Sequence, residues 1–135
     1  MKLEVNWKSK TLENLEKENW GEPQYDSHLV RRTHELRKVP LNEFSVEDLR
    51  INIGQNISLN YLIPLALEIL TENLFADGDL FEGDLLQAVL KANSNYWYSN
   101  PKYWEQLNRL IEDRLEELES ENIKYFDFQD LKLSS

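Results

Sequence analysis

The sequence predicts an all-α protein: a compact single-domain bundle of about five to seven helices around one buried central helix. Three observations lead there. Residues 59–74, LNYLIPLALEILTENL, carry Glu68 as their only charge between Leu62 and Leu70, and their apolar side chains are not confined to one stripe. Leu62, Leu65, Ala66 and Ile69 share a helical face, while Ile63, Leu67 and Leu70 fill the other sides; a helix apolar nearly all round is one that neighbours surround. Ser45-Val46-Glu47-Asp48 has the Ser-x-x-acid form of a capping box, with Asp where Glu or Gln is usual. Asn100-Pro101 is a helix start with proline at the first helical position.

Taken in order, Leu3, Val5 and Trp7 alternate with polar residues and suit a short extended arm. Thr11 is placed to cap a short helix reaching Glu18, with Leu12 and Leu15 on one face. Trp20-Gly21-Glu22-Pro23 marks a turn. Asp26 or Ser27 caps a second helix whose apolar face is Leu29, Val30, Thr33 and Leu36, and Pro40 ends it. Val46, Leu49, Ile53 and Ile57 recur at helical spacing, so a third helix runs to about Asn56. Gly54 either admits a close neighbour or marks the end of that helix. In the central helix, Pro64 lies in the first turn or kinks it. An acidic loop, FADGDLFEGD, follows, and Asp84 is placed to cap the helix LLQAVLKA. After the aromatic run Tyr96-Trp97-Tyr98, a last long helix from Pro101 buries Trp104, Leu107, Leu110, Ile111, Leu115 and Leu118, with Glu105 four before Arg109. The tail IKYFDFQDL is too apolar for a solvated linker.

At 135 residues the chain can bury a core without staples. It is expected to be one domain over residues 1–135, with 1–10 as an N-terminal arm and 119–135 as a tail packing back on the domain or on a partner. Cysteine is absent, which excludes disulfides and thiolate chemistry. The N-terminus has no apolar signal core, and the longest apolar run, residues 62–67, falls far short of the roughly 20 residues a membrane span needs. A cytoplasmic protein is expected. The net charge is −10 and unevenly placed: residues 1–40 carry eight basic against seven acidic side chains, residues 41–90 one against nine, and residues 91–135 six against nine. Such a field repels phosphate backbones, which argues against direct nucleic-acid binding, and draws in basic surfaces.

Few constellations point to chemistry. Asp77, Asp79, Glu82 and Asp84 invite a calcium reading, but a twelve-residue loop from Asp77 would put Phe81 and Ala88 where an oxygen ligand and a bidentate glutamate are required. Capping and turn hydrogen bonds suit Asp84 better; Asp77, Asp79 and Glu82 suit contact with a basic partner. His28 and His34 flank Arg31 and Arg32, yet six residues of helix set the two imidazoles about 240° apart. No phosphate loop or nucleophile motif accompanies them, so no catalytic, cofactor or metal residues are assigned. His34 reads as a semi-buried core residue and the two arginines as a solvated face. Arg50, the sole basic residue between Lys38 and Lys91, calls for a partner: Glu68 across the contact between the third and central helices, or Glu47 locally. If the pair is local, Arg50→Met should barely alter stability. Tyr96, Trp97 and Tyr98 cannot all face inward, and exposed aromatics beside acids are typical interface anchors. Trp104 reads as core.

A broader pattern overlies these residues. It comprises Asn19-Trp20-Gly21-Glu22-Pro23, His34-Glu35-Leu36-Arg37-Lys38 with Pro40-Leu41, and Phe44-Ser45-Val46-Glu47-Asp48-Leu49-Arg50. It continues through Ile53-Gly54-Gln55, Tyr61-Leu62-Ile63-Pro64-Leu65-Ala66-Leu67, Gly83-Asp84-Leu85-Leu86 and Ala88-Val89-Leu90. In these stretches and their order, the chain from about Leu12 to Leu118 resembles the immunity proteins of bacterial contact-dependent growth inhibition (CDI) systems. The resemblance implies a cytoplasmic, non-enzymatic protein that binds and neutralises the C-terminal toxin domain of an exoprotein, often a nuclease, as a monomer in a 1:1 complex. The shared motif residues then serve as scaffold, with Trp20, Arg50, Pro64 and Asp84 structural among them, and Glu68 is likewise expected to be structural. Toxin contacts fall to Asp77, Asp79, Glu82, Tyr96, Trp97 and Tyr98. An acidic helical adaptor or antitoxin for another basic protein fits the composition equally well.

Overall fold

A computed structural model describes residues 3–24 and 27–133. Among these residues the fold is all helical, with nine α-helices and no strand. The chain opens on a 3-10 turn, Trp7–Ser9, and not on an extended arm. Trp7 is buried with its ring 6.5 Å from that of Tyr61, and this contact outweighs the alternating pattern.

Helix α1 is Leu12–Glu16; the Thr11 hydroxyl accepts the Asn14 N–H at 3.1 Å, and Lys17, at φ 54°, stops the helix short of Glu18. Helix α2 is His28–Leu36, capped by Ser27, which accepts from Val30; Asp26, the other expected cap, lies outside the described residues. Helix α3 is Val46–Gly54. Its capping box forms in full, Ser45 and Asp48 exchanging backbone and side-chain hydrogen bonds at 3.0 and 3.1 Å. Gly54 is the last residue of α3, exposed and with open space beside it, so it marks an end and not a close approach.

Helix α4, Leu59–Glu72, is the central element: it packs against α3 and against two later helices, α5 (Asp84–Leu90) and α7 (Pro101–Ile111). Leu62, Ile63, Ala66, Leu67 and Leu70 are buried, while Leu65 and Ile69 are half-buried, so α4 keeps a narrow outer edge along Leu65, Glu68 and Ile69. Pro64 is buried inside α4 beyond its first turn, where its missing N–H removes the bond to the Asn60 carbonyl. Glu68 pairs with Lys8 across to the N-terminal turn. The expected Arg50–Glu68 pair does not form, because Glu68 lies on the outer edge of α4.

Arg37, only 1% exposed, joins three pieces of the chain. Its guanidinium pairs with Glu16 at the end of α1, donates to the Glu18 carbonyl at 3.1 Å, and lies 4.4 Å from the Trp20 ring. Ser58, just before α4, donates to the same Glu16 carboxylate. A buried charge is tolerated only when paired in this way.

The C-terminal third departs most from the expected long helix. Helix α6 is Ser94–Ser99, α7 ends at Ile111, and α8 is Leu115–Ser120. The break spans the charged residues 112–114, leaving Leu110 and Leu115 half-buried and Leu118 fully buried. Helix α8 ends in a Schellman motif: Asn122 sits at φ 60°, and the N–H groups of Ile123 and Asn122 donate to the carbonyls of Leu118 and Glu119. The chain then turns back through α9, Phe126–Gln129. Phe128 lies against Trp97 and Trp104, at ring distances of 5.1 and 5.4 Å, and its carbonyl accepts the Trp104 indole N–H at 2.8 Å.

Candidate functional site

The acidic loop leaving α4 is held from beneath by two carboxylates on helices that pack together, α3 and α5. Asp84 is 2% exposed. It is not the N-cap of α5 but its first residue; Gly83, at φ 87°, takes the cap position. The Asp84 side chain reaches back into the loop instead. One oxygen accepts the N–H of Gly78 at 2.6 Å, and the other accepts those of Leu80 and Phe81 at 3.0 and 3.3 Å. The remaining amide of the series, Asp79, donates to Glu47 at 2.9 Å. Four successive backbone N–H groups therefore end on carboxylates, a charge-assisted arrangement stronger than ordinary turn hydrogen bonds.

Arg50 fixes the carboxylates in turn. It chelates Glu47 through two hydrogen bonds of 2.6 and 2.5 Å and lies 3.8 Å from Asp84. The Arg50 hydrogen bond holds the Glu47 carboxyl below its usual pKa despite partial burial, with further help from the Asp79 N–H and the nearby charge of His28. Glu47 conversely raises the guanidinium of Arg50. Gly78 is needed for space: a Cβ there would lie 2.5 Å from a Glu47 oxygen. Gly83 is needed for its left-handed backbone, and a Cβ there would also press on Ile123 at 3.0 Å.

A fixed backbone displays outward side chains. Asp77, Asp79 and Glu82 are exposed, and between them Leu80 and Phe81 stand 63% and 47% exposed. The apolar pair lies inside the expected stretch 77–82, of which only the acids Asp77, Asp79 and Glu82 were singled out. The clamp from Glu47 was also missed, since 32 residues separate it from Asp79.

The expected aromatic contacts separate. Tyr96 and Trp97 are buried at 7% and 1% exposure and face the core, and burial pushes the Tyr96 phenol well above its usual pKa. Neither is on the surface as an anchor, because α6 turns both inward. Tyr98 remains outside at 58% exposure. Trp20 meets His34 edge-on at 5.1 Å, and His34, half-buried, has Nδ1 3.4 Å from the Gly21 carbonyl. His28 is exposed at the start of α2. Arg32 is not part of a solvated face: it donates to Asp48 at 3.0 and 3.1 Å and ties α2 to α3.

Among the described residues, no group of three or more His, Cys, Asp or Glu side chains is gathered as a metal site. None of their helices is long and apolar enough to cross a membrane. A search among curated proteins finds no match, and neither does one among solved structures. A family model described as CDI immunity proteins matches residues 14–107, which include the clamped loop, its two carboxylates and Arg50. By that match over more than half its length, the chain belongs to the family of CDI immunity proteins.

Proposed function

We propose that this protein neutralises a basic toxin domain, a nuclease, by binding it without catalysis as a monomer in a 1:1 complex in the cytoplasm. Family membership supplies the immunity role and a cognate toxin as partner. The observation that carries the choice of surface is the clamped loop, where Leu80 and Phe81 project between Asp77, Asp79 and Glu82. Its backbone is already ordered by Asp84 and Glu47, so binding loses little further conformational entropy there. Exposed apolar residues ringed by charge combine a desolvating anchor with complementarity to a basic surface. A net charge of −10 suits a partner whose own substrate is a polyanion, since the surface that holds phosphates is itself basic. Tyr98 is a second exposed contact.

The test is co-expression with the toxin domain encoded by the adjacent gene. Wild-type protein is expected to rescue growth and co-purify with that domain in equal amounts. Leu80→Ser with Phe81→Ala should leave the fold intact and weaken the complex by about 2–4 kcal/mol. Failure of the wild type to rescue or co-purify refutes the immunity reading. Unchanged affinity in the double variant moves the contact away from the loop.

A further inference from the structure

An open groove of about 800 Å³ runs between the α5–α6 region and the C-terminal segment that folds back over it. Leu90, Ala92 and Trp97 contribute from one side, and Ile123, Phe128 and Leu131 from the other. Phe126 stands 76% exposed between this groove and a smaller cleft beside Trp104. The Tyr125 ring stacks on it at 5.4 Å, holding a large apolar face out in water.

The C-terminal segment that forms one wall is acidic, while the groove lining itself sets two acids against two lysines. From Leu115 to Leu131 six acidic residues stand against Lys124 alone. Glu119 and Asp127 line the groove itself, with Lys91 and Lys124. Exposed Glu116, Glu117 and Glu121 of the same segment share a cleft with Glu82 and Phe75, so the α8 ridge connects the groove with the clamped loop. Helices α8 and α9 lie beyond residues 14–107, so the wall carrying Phe126 is built by chain outside the family match.

We propose that this groove receives an apolar segment of the toxin domain whose flanking basic residues meet Glu119, Asp127 and the α8 ridge. The proposal rests on the toxin-binding reading above and adds to it a second contact, made by the C-terminal segment. It is tested by calorimetric titration of the full chain with the toxin domain encoded by the adjacent gene, comparing wild type with Phe126→Ser and Ser94→Trp. Phe126 and Ser94 are both exposed, on opposite walls, so one substitution removes the rim aromatic and the other fills the groove. Each variant is expected to keep the wild-type circular dichroism and to bind about tenfold or more weakly, as for loss of an interface anchor. Wild-type affinity in both variants overturns the groove proposal and leaves toxin binding standing. No binding by the wild type overturns the immunity reading and the groove proposal with it. A concentration-dependent dimer that Phe126→Ser abolishes assigns the groove to a second copy of this chain, which also overturns the proposal.

Discussion

At the scale of the residue, Asp84 and Arg50 show why composition foretells a pairing more readily than its partner. A lone arginine among nine acids over residues 41–90 had to be paired, and it is. Helical spacing placed Glu47 within reach on the same helix, and that pair forms. Glu68 was the alternative only if α4 turned that side toward α3; it does not. Asp84 had the position of an N-cap, yet the loop before it folds underneath, and three amide donors outcompete the end of α5. No local pattern reports a loop folding back on its own anchor. The consequence is that the local Arg50–Glu47 pair is not the bland one the sequence suggested. Arg50 also stands beside Asp84, whose side chain is 1% exposed, so removing it leaves two carboxylates side by side with less positive charge to balance them. Arg50→Met is therefore expected to lower stability by about 1.5–3 kcal/mol, the range for hydrogen bonds to charged groups. The amides of residues 78–81 should also exchange hydrogen faster. Chemical denaturation and amide exchange check this together; an unchanged midpoint with unchanged exchange means that the loop holds itself without the guanidinium.

At the scale of the element, α3 and α4 were legible because capping chemistry and apolar density coincide in them. The C-terminal third was less so. Trp104, Leu107, Ile111, Leu115 and Leu118 keep helical spacing through residues 112–114, and spacing alone predicts one continuous helix. Tertiary packing decides otherwise: with α8 turned off α7, Leu118 and Ile123 reach the core and Phe128 reaches the two tryptophans. Gln87 secures that return. Its side-chain amide donates to the Lys124 carbonyl at 2.9 Å and accepts the Lys124 N–H at 2.7 Å, a strand-like pairing made by a side chain. A glutamine on a short helix carries no such message in sequence. Gln87→Ala is expected to destabilise the protein by about 1–3 kcal/mol, with two hydrogen bonds lost and a partly buried backbone pair left unsatisfied. The loss should concentrate in the tail, so amides of Gln129 and Asp130 should exchange faster while those within α4 change little. Uniform acceleration across α4 and the tail would show instead that the tail and the core unfold as one unit.

At the scale of the whole molecule, the charge balance was readable from the sequence and its arrangement on the surface was not. Asp77, Asp79 and Glu82 are exposed at the loop, and Glu82 shares a cleft with Glu116, Glu117 and Glu121 from α8, so acids distant in the chain add their fields on one face. A field of this kind acts mostly before contact: it raises the encounter rate with a basic partner and is screened by salt over about 10 Å at 0.1 M ionic strength. On the proposed reading, the short-range anchors Leu80, Phe81 and Phe126 act after contact and govern how slowly the complex separates. The two contributions should therefore separate in kinetics. For the complex with the toxin domain, raising salt from about 0.05 to 0.5 M is expected to slow association by about tenfold or more, with a far smaller effect on dissociation. The combined reversal Asp77→Lys, Asp79→Lys and Glu82→Lys should slow association at low salt and flatten its salt dependence, while Leu80→Ser with Phe81→Ala should speed dissociation and leave the salt slope intact. Stopped-flow mixing at several ionic strengths distinguishes them. A triple reversal with wild-type association and wild-type salt slope would place the steering charge elsewhere, with Glu116, Glu117 and Glu121 of α8 as the next acids to reverse.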